Sequence, residues 1–573
     1  MWFLLAAIAA TPSYTLSFPD RQAHLLQVEA TLDATGDRTE LFMATWTPGS
    51  YLIREFARHI EGLEALGPDG EPLHVHKTRK NRWEVDTTEV SSITLRYRLY
   101  SRSMNVRANF VDEDFAVLNG APTFIVPADL QGPYSITVER PAGWARTLTQ
   151  LSPEDSDSFT APSYDLLVDS PIVVGNPSVQ RFEVDGVEHL LVDLPDTAPW
   201  DSEKAAVAVK RAVEAQREFW GQIPYERYLF LNVLSESRGG LEHLGSTLMM
   251  TSRFNTLEDE PFQSWLGLVA HEHFHAWNVK RLRPRALGPF DYQDEVYTES
   301  LWIAEGFTSY YDDVLLSRAG LIDSDEYLER MSKNLSRLQS TPGRLQQPLS
   351  HASYDAWIKY YRGDENSVNT AISYYTKGAV VAWVIDARIR TLTGNQRSLD
   401  DAMRLAYTRY SGDQGYTPEQ FVELLSEVAG SDLAPFIEQL VDRPGEVDTS
   451  EAIALFGLQL SPPSEDEPTP WLGIEMGGSV VKSVRRDGPS WEAGLNFEDE
   501  ILAIDGDRTR NPLSVLDRYQ PGDTVELLIS RRGRIRTVEV RLGTQPADPK
   551  LSIDDKARKS AVKRRESWIG ERG

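Results

Sequence analysis

Hydrophobic and polar positions alternate with a period of two through the first third of the chain. From residue 14 to about residue 194 the runs are short and separated by Gly, Pro and Asp, with clear examples at residues 93–100, 135–138 and 179–184. A period of two is typical of strands that bury one face. We therefore predict an N-terminal antiparallel β domain over residues 12–195.

The pattern then becomes helical at residues 202–220 and returns to that of strands at residues 228–234 and 246–250. Gly239-Gly240-Leu241-Glu242-His243 lies between these two strands. Paired glycines permit close approach of another backbone, and Glu242 can anchor a cationic group of a substrate there. An acid on a solvated loop is the more common role for such a residue, so the pattern alone leaves both roles open.

A second helix is predicted where apolar side chains recur at spacings of three and four. Pro261 suits its first turn and Pro284 lies beyond its end. The face that packs on a core is formed by Phe262, Trp265, Leu266, Val269, His273 and Trp277.

The same helix carries the sequence His271-Glu272-x-x-His275. Its two histidines are one turn apart on another face, so both imidazoles can bind one metal ion. Glu272 lies about 100° round the helix from His271 and can contact a metal-bound water. The pattern predicts a zinc hydrolase, since a coincidental match is expected on the order of once in a hundred such chains.

Two histidines leave a hydrolytic zinc site one protein ligand short. Residues 298–320 predict a further helix, in which Glu305 is flanked by Trp302, Ile303 and Phe307. An unpaired carboxylate would be costly in such apolar surroundings, which favours Glu305 as the third ligand. Glu295 and Glu299 are competing candidates, closer to His275 along the chain.

Residues 325–440 are mostly helical in pattern, with an irregular section at 347–370, after which Tyr374-Tyr375-Thr376-Lys377-Gly378 opens an apolar helix. A tyrosine at the start of a helix can donate a hydrogen bond to an oxyanion, although a packing aromatic is the more common role among 22 tyrosines. The predicted division of the chain is a signal segment at 1–11, the β domain at 12–195, a catalytic domain at 196–322, a helical domain at 323–460, a proline-rich linker at 461–470, a compact β-rich module at 471–543 and a basic tail at 544–573. Residues 550–573 of this tail are predicted to be disordered.

Length and composition limit what this chain can be. Its 573 residues suggest three or four domains. The absence of cysteine excludes disulfides and thiolate metal ligands. A formal charge of −27 argues against a nucleic-acid partner. From Trp471 onward there are 19 Lys and Arg against 17 Asp and Glu, so the negative charge lies in residues 1–470.

Residues 1–10 are apolar and end in small residues. We interpret them as a minimal or truncated export signal, which predicts a periplasmic or secreted protein. A buried first strand in a cytoplasmic protein is the alternative. No later run approaches the ~20 apolar residues of a spanning helix, so no transmembrane segment is expected.

Together these stretches resemble the glycyl aminopeptidase family of zinc metallopeptidases, which belongs to the gluzincins. The C-terminal module resembles a bacterial PDZ domain through Leu472-Gly473-Ile474. The segments that carry the resemblance are residues 46–59, 239–243, 271–284, 299–311, 356–366 and 374–378.

The resemblance implies a multidomain α+β protein, in which an N-terminal antiparallel β domain precedes a thermolysin-like zinc catalytic domain, a following α-helical region and a C-terminal PDZ domain. It implies one zinc ion per chain, with His271, His275 and Glu305 as ligands and Glu272 as general base. It further implies that Tyr375 stabilises the oxyanion. Glu242, supported by Gly239 and Gly240, would bind a free α-amino group, although His243 stands where the relatives have Asn.

The predicted function is therefore a zinc-dependent aminopeptidase, and the resemblance implies a preference for small N-terminal residues such as Gly or Ala. One alternative is an endopeptidase that recruits substrates through its PDZ domain. Another is a peptide-binding scaffold without catalysis. The expected partners are peptide substrates and, at the PDZ domain, a peptide C-terminus or a partner chain.

Overall fold

The structure is a computed structural model that describes residues 11–129, 132–461, 468–546 and 548–570. The predicted export signal at residues 1–10 and most of the predicted linker lie outside the described residues. Contacts divide the chain into two compact units. The first unit comprises residues 1–296 and 410–415, and the second comprises residues 297–409 and 416–573.

The first unit is dominated by four β-sheets. Its strands are β1 (Ser13–Ser17), β2 (Leu25–Asp33), β3 (Arg38–Met43), β4 (Ile60–Leu66), β5 (Pro72–Leu73), β6 (Val75–Arg79), β7 (Arg82–Asp86), β8 (Ser92–Tyr100), β9 (Phe110–Val111), β10 (Ala116–Leu118), β11 (Ile125–Pro127), β12 (Tyr134–Glu139), β13 (Arg146–Thr149), β14 (Ser152–Pro153), β15 (Ser158–Ala161), β16 (Ile172–Gly175), β17 (Ser178–Val184), β18 (Val187–Leu194), β19 (Arg227–Leu234), β20 (Gly239–Glu242) and β21 (Ser246–Thr251).

Three of these sheets form the N-terminal β domain. An eight-stranded sheet has the order β14-β15-β12-β1-β2-β8-β4-β5, and two four-stranded sheets have the orders β13-β16-β10-β9 and β11-β3-β7-β6. Pairing is antiparallel except between β1 and β12. In β8 every second side chain from Ile93 to Leu99 is buried, which is the alternation that predicts this strand. The prediction of an antiparallel β domain is confirmed apart from that one parallel pair.

The fourth sheet has the order β17-β18-β19-β21-β20. Its central strands β18, β19 and β21 are parallel, and β20 pairs antiparallel with β21 at the edge. Strand β19 is buried along nearly its whole length, as expected for a parallel strand covered on both faces. The helices of this unit are α1 (Tyr164–Val168), α2 (Ser202–Trp220) and α3 (Asp259–Phe274), with short 3-10 turns at Arg21–Ala23, Phe56–His59, Asn255–Leu257 and Arg285–Leu287.

The second unit begins with helices. They are α4 (Phe307–Arg318), α5 (Ser324–Gln339), α6 (Leu349–Tyr354), α7 (Ser367–Thr370), α8 (Thr376–Leu392), α9 (Leu399–Tyr410), α10 (Pro418–Ala429), α11 (Ala434–Val441), α12 (Ser450–Phe456), α13 (Pro489–Ala493) and α14 (Lys559–Ile569). Helix α8 is the centre of the bundle, because it is buried on nearly all sides and packs against α4, α5, α10 and α12. A π-helical turn, Trp302–Gly306, immediately precedes α4, and 3-10 turns lie at Pro342–Leu345, Asp355–Trp357 and Pro512–Arg518.

The β-rich module that follows has its own apolar core, which includes Leu472, Val481 and Ile529. Its main sheet has the order β24-β25-β26-β28-β29, with β27 paired to β26. The strands of this unit are β22 (Leu458–Ser461), β23 (Pro470–Trp471), β24 (Ile474–Gly477), β25 (Val480–Val484), β26 (Glu500–Ile504), β27 (Asp507–Arg508), β28 (Thr524–Arg531), β29 (Arg534–Arg541), β30 (Gly543–Thr544) and β31 (Lys550–Ile553).

The prediction of a disordered basic tail is wrong for its described part. Strand β31 pairs with β22, and helix α14 buries Trp568 against Phe456 with ring centroids 4.1 Å apart. Trp568 Nε1 also donates a hydrogen bond of 2.7 Å to Tyr310 Oη. The basic residues conceal an amphipathic pattern, because the buried positions of α14 follow helical spacing. They are Ala561, Arg565, Trp568 and Ile569.

No helix in the described ranges combines the length and the apolarity that a membrane crossing requires.

Candidate active site

Helix α3 positions three of the predicted site residues. Asp259 and Glu260 lie in its first turn, where negative charge is favourable. The core-facing set predicted from the sequence is buried, including His273 and Trp277. The helix ends at Phe274, with His275 at its C-cap. The packing of one face therefore determines where His271, Glu272 and His275 can point.

His271 and His275 lie side by side. Their ring centroids are 4.8 Å apart, and a nitrogen of one ring is within 4.8 Å of a nitrogen of the other. His275 Nδ1 is 2.6 Å from the carbonyl oxygen of Asn278, so Nδ1 must donate and Nε2 carries the lone pair. A carbonyl on the second ring nitrogen is the usual support of a zinc-binding histidine. The pair fits zinc, which prefers nitrogen and carboxylate ligands.

Glu272 lies against edge strand β20. A Cβ added to Gly240 would be 2.1 Å from Glu272 Oε1, so only glycine leaves room for this carboxylate. Ligand atoms of Glu242, Glu272 and His275 lie within 4.8 Å of one another. The paired glycines predict that another part of the chain lies close to this strand. At Gly240 that part is the side chain of Glu272.

Glu242 is buried at 4% exposure, and its Oε1 has no hydrogen-bond partner among the described residues. Gly49 of the N-terminal β domain covers it. The φ of Gly49 is +87°, and a Cβ added there would be only 2.4 and 2.6 Å from the two carboxylate oxygens of Glu242. Glu242, Gly49, Tyr51, Lys280 and five further residues line a cavity of about 30 Å³. Gly49 lies in the segment that carries the family resemblance, but its contact with Glu242 has no local sequence signal.

Asp169 organises the turn after Glu242, and the sequence gives no indication of this role. Its carboxylate accepts hydrogen bonds from Lys280 Nζ at 2.6 Å, from the Leu244 amide at 2.7 Å and from His243 Nδ1 at 3.2 Å. Burial alone would raise the pKa of Asp169, but Lys280 and His243 outweigh it and lower that pKa to about 2. His243 therefore supports this turn through a buried hydrogen bond to Asp169.

His273 has both ring nitrogens occupied in the core. Gln216 Nε2 donates to the Ala270 carbonyl at 2.6 Å, which turns Gln216 Oε1 toward His273 Nδ1 at 2.8 Å. Nδ1 therefore carries the proton, and Nε2 accepts from Tyr225 Oη at 2.5 Å. Burial lowers the pKa of His273 well below its ordinary value, which keeps the ring neutral.

The second unit holds the other two predicted residues. Glu305 is in the π-helical turn, buried at 2% exposure as its apolar flanks predict, whereas Glu299 is exposed and Glu295 partly exposed. Single π-turns inside helices are frequent at functional sites. Tyr375 is the residue before α8, and burial together with the charge of Glu305 raises its pKa well above the ordinary value.

Two glycines allow these elements to approach. A Cβ on Gly306 would be 2.5 Å from Gly378 Cα, and a Cβ on Gly378 would be 2.7 Å from Gly306 Cα. Any larger residue at either position would separate the π-helical turn from α8. This contact explains the glycine of the Tyr-x-Lys-Gly sequence, whose structural role the sequence pattern does not reveal.

Three stretches of the chain match known protein families. Residues 13–176 match the Peptidase M61 N-terminal domain, residues 264–381 match M61 glycyl aminopeptidase, and residues 455–542 match a PDZ domain. The crystal structure of an aminopeptidase N family protein from Idiomarina loihiensis is similar with a TM-score of 0.92, at 28% identity, over 98% of this chain and 100% of that one.

Curated relatives match more limited regions. Aminopeptidase N from Caulobacter vibrioides is 23% identical over 338 residues, which are 54% of this chain and 35% of that protein. A probable periplasmic serine endoprotease DegP-like from Rhizobium meliloti is 31% identical over 98 residues, which are 16% of this chain and 19% of that protein. The chain thus spans well under half the length of the curated relatives that it matches.

Fold and domain content define the class as a multidomain α+β protein with an aminopeptidase N-like fold, which confirms the predicted fold class. Within that class, the chain carries both the N-terminal domain and the glycyl aminopeptidase domain of family M61, together with a PDZ domain.

Proposed function

We propose that this protein is a zinc-dependent aminopeptidase with one zinc ion per chain, held by His271, His275 and Glu305. The observation that carries the proposal is the His271 and His275 pair, in which the Asn278 carbonyl leaves His275 Nε2 with its lone pair. Glu305 supports it as a buried carboxylate in a π-helical turn, and the M61 match covers all three residues.

Zinc in such a site supplies Lewis-acid activation of a water molecule and of the scissile carbonyl. Glu272 takes the proton of the attacking water and delivers it to the leaving amine, which is the role of a general acid and base. Tyr375 keeps its phenolic proton because its pKa is raised, so it donates a hydrogen bond to the carbonyl oxygen as negative charge develops.

Glu242 makes the enzyme an exopeptidase in this proposal. A buried carboxylate oxygen without a partner is costly, and the α-ammonium group of a peptide satisfies it with a charge-assisted hydrogen bond. The adjoining cavity of about 30 Å³ has room for a hydrogen atom or a methyl group beside the anchored amine. This limited space supports the proposed preference for Gly and Ala at the first position.

The amine anchor is tested with a dipeptide, its N-acetylated form and the Glu242→Gln variant. The wild-type enzyme is expected to cleave the free dipeptide and to lose at least tenfold in kcat/KM on the acetylated form, because the ammonium contact is lost. Glu242→Gln is expected to narrow that difference while retaining zinc. Equal turnover of both peptides by the wild-type enzyme would contradict the anchor and favour a PDZ-recruited endopeptidase.

The PDZ domain is proposed to bind a peptide C-terminus. Strand β24 is at the edge of its sheet, so the other side of the strand can pair with an added peptide. Gly473, in the loop before β24, has a φ of +73°, which few residues other than glycine adopt. A location in the periplasm is proposed from the apolar residues 1–10, and one relative that resembles the PDZ region is named as periplasmic.

A further inference from the structure

Arg107 lies beside the edge strand that is expected to receive substrate. It belongs to the loop between β8 and β9, and its neighbour Val106 is buried in the same apolar cluster as Leu241 of β20. The Nη1 atom of Arg107 is 3.9 Å from the position that a Cβ on Gly239 would occupy. The packing of Val106 thus places a guanidinium at the start of β20.

The charge of Arg107 has no counterpart in the described part of the chain. Its Nε is buried without a hydrogen-bond partner, and no described carboxylate pairs with its guanidinium. A buried donor without a partner costs free energy, which an anionic ligand would recover. Arginine binds carboxylates with two parallel hydrogen bonds, so a carboxylate is the anion that best suits this position.

A peptide bound along β20, with its amine at Glu242, would also end near Arg107. Strand β20 pairs only with β21 in the described sheet, so its other side can accept an extended peptide. A peptide whose amine is at Glu242 and whose chain lies antiparallel to β20 passes Gly239 three residues later, roughly 10 Å away. An extended tripeptide spans about that distance from its amine to its carboxylate, and a dipeptide about 7 Å.

We propose that Arg107 binds the C-terminal carboxylate of short peptides, which makes tripeptides, and to a lesser extent dipeptides, the substrate class of the site. The proposal rests on the aminopeptidase function proposed above. It assigns Glu242 to one end of the substrate and Arg107 to the other, so that chain length is selected by the distance between them.

The test compares kcat/KM of the zinc-loaded full-length enzyme on trialanine, on trialanine amide, and on a hexa-alanine acid and amide. The wild-type enzyme is expected to prefer the tripeptide acid over its amide by about 10- to 100-fold, mainly through KM, and to show a hexapeptide ratio near one. Arg107→Gln is expected to reduce the tripeptide ratio to near one, through a higher KM for the tripeptide acid.

Arg102→Gln is the matched control, because it removes the same charge from the same loop while its guanidinium lies over the Phe110 ring. It is expected to retain the wild-type ratio. A wild-type enzyme that cleaves the tripeptide acid and amide equally would overturn the role of Arg107 and leave the aminopeptidase function standing. A zinc-loaded enzyme that cleaves none of the four peptides would overturn both. The acid-to-amide ratio of the wild-type enzyme tests the proposal by itself, so the test holds even if Arg107→Gln does not fold.

Discussion

Two histidines at the C-terminal end of helix α3, only two positions apart, have different hydrogen-bond partners. His273 has Gln216 on one ring nitrogen and Tyr225 on the other, inside the core. His275 has the Asn278 carbonyl on Nδ1 and the His271 ring within 4.8 Å of its own. Both rings are almost completely buried, at 1% exposure. Burial alone therefore does not distinguish the structural histidine from the proposed metal ligand, whereas the hydrogen-bond partners of the two rings do.

The comparison also shows what holds the proposed site in place. Gln216 of α2 connects His273 to the Ala270 carbonyl, immediately before His271. The hydrogen bonds of the structural histidine thus fix the turn of α3 from which the proposed ligands His271 and His275 project. Such outer contacts commonly affect metal affinity because they orient the ligands.

The largest expected effect comes from His275→Ala. Removing one of three proposed protein ligands is expected to reduce the zinc content after dialysis from about one per chain to near zero, with peptidase activity at background. Metal content by mass spectrometry and turnover of a free dipeptide measure this. Zinc retained at one per chain in His275→Ala would contradict the ligand assignment.

His273→Ala is the control for that experiment. It is expected to retain zinc, with affinity reduced by at most about 10- to 100-fold. Its main effect should be on stability, because the polar groups of Gln216 and Tyr225 lose a partner, and each costs about 1 to 3 kcal/mol. A parallel loss of zinc in both variants would remove the distinction between the two histidines.

The next effect in size concerns Glu272, which directly precedes His273 in helix α3. Glu272→Gln is expected to lower kcat by about 10²- to 10⁴-fold, since an amide of the same shape cannot accept the proton of water. Zinc content should stay near one per chain, because Glu272 is proposed as a base and not as a ligand. Glu258→Gln, an exposed change at the start of the same helix, is the matched control. Unchanged kcat in Glu272→Gln would identify a different base.

Sequence patterns predict the parts of this site that depend on local periodicity. The apolar spacing of α3 places His273 and Trp277 in the core, and the flanks of Glu305 predict its burial. The π-helical turn at Glu305 is not predictable in this way, because it accompanies the contact of Gly306 with Gly378. In α14 the high content of Lys and Arg conceals the apolar spacing that anchors Trp568.

Contacts between segments that are distant along the chain are also not predictable from periodicity. Gly49 covers Glu242 from the N-terminal β domain, and Asp169 reaches His243 across 74 positions. Neither residue belongs to a pattern that indicates its partner. Both lie around the proposed amine anchor, Glu242, so the proposed substrate pocket is less predictable from sequence than the residues proposed to catalyse cleavage.

The smallest expected effect concerns Asp169, the partner of a third histidine. His243 differs from His273 and His275 because its Nδ1 lies 3.2 Å from a carboxylate oxygen, that of Asp169. The pKa of Asp169 is about 2 in the folded protein against an ordinary value of 3.8, so ionised Asp169 stabilises the fold. The contribution is about 2 kcal/mol, since one pKa unit corresponds to about 1.36 kcal/mol. It is fully present above pH 4 to 5 and is lost as the pH falls toward 2.

Asp169→Asn removes that dependence, because the amide does not titrate. Between pH 5 and pH 2 the wild-type protein is therefore expected to lose about 2 kcal/mol more of its free energy of unfolding than the variant does. Urea unfolding monitored at both pH values measures the difference. Parallel loss in the two proteins would mean that Lys280 and His243 do not hold Asp169 ionised. In that case the turn after Glu242 would depend on neutral hydrogen bonds, as His273 does.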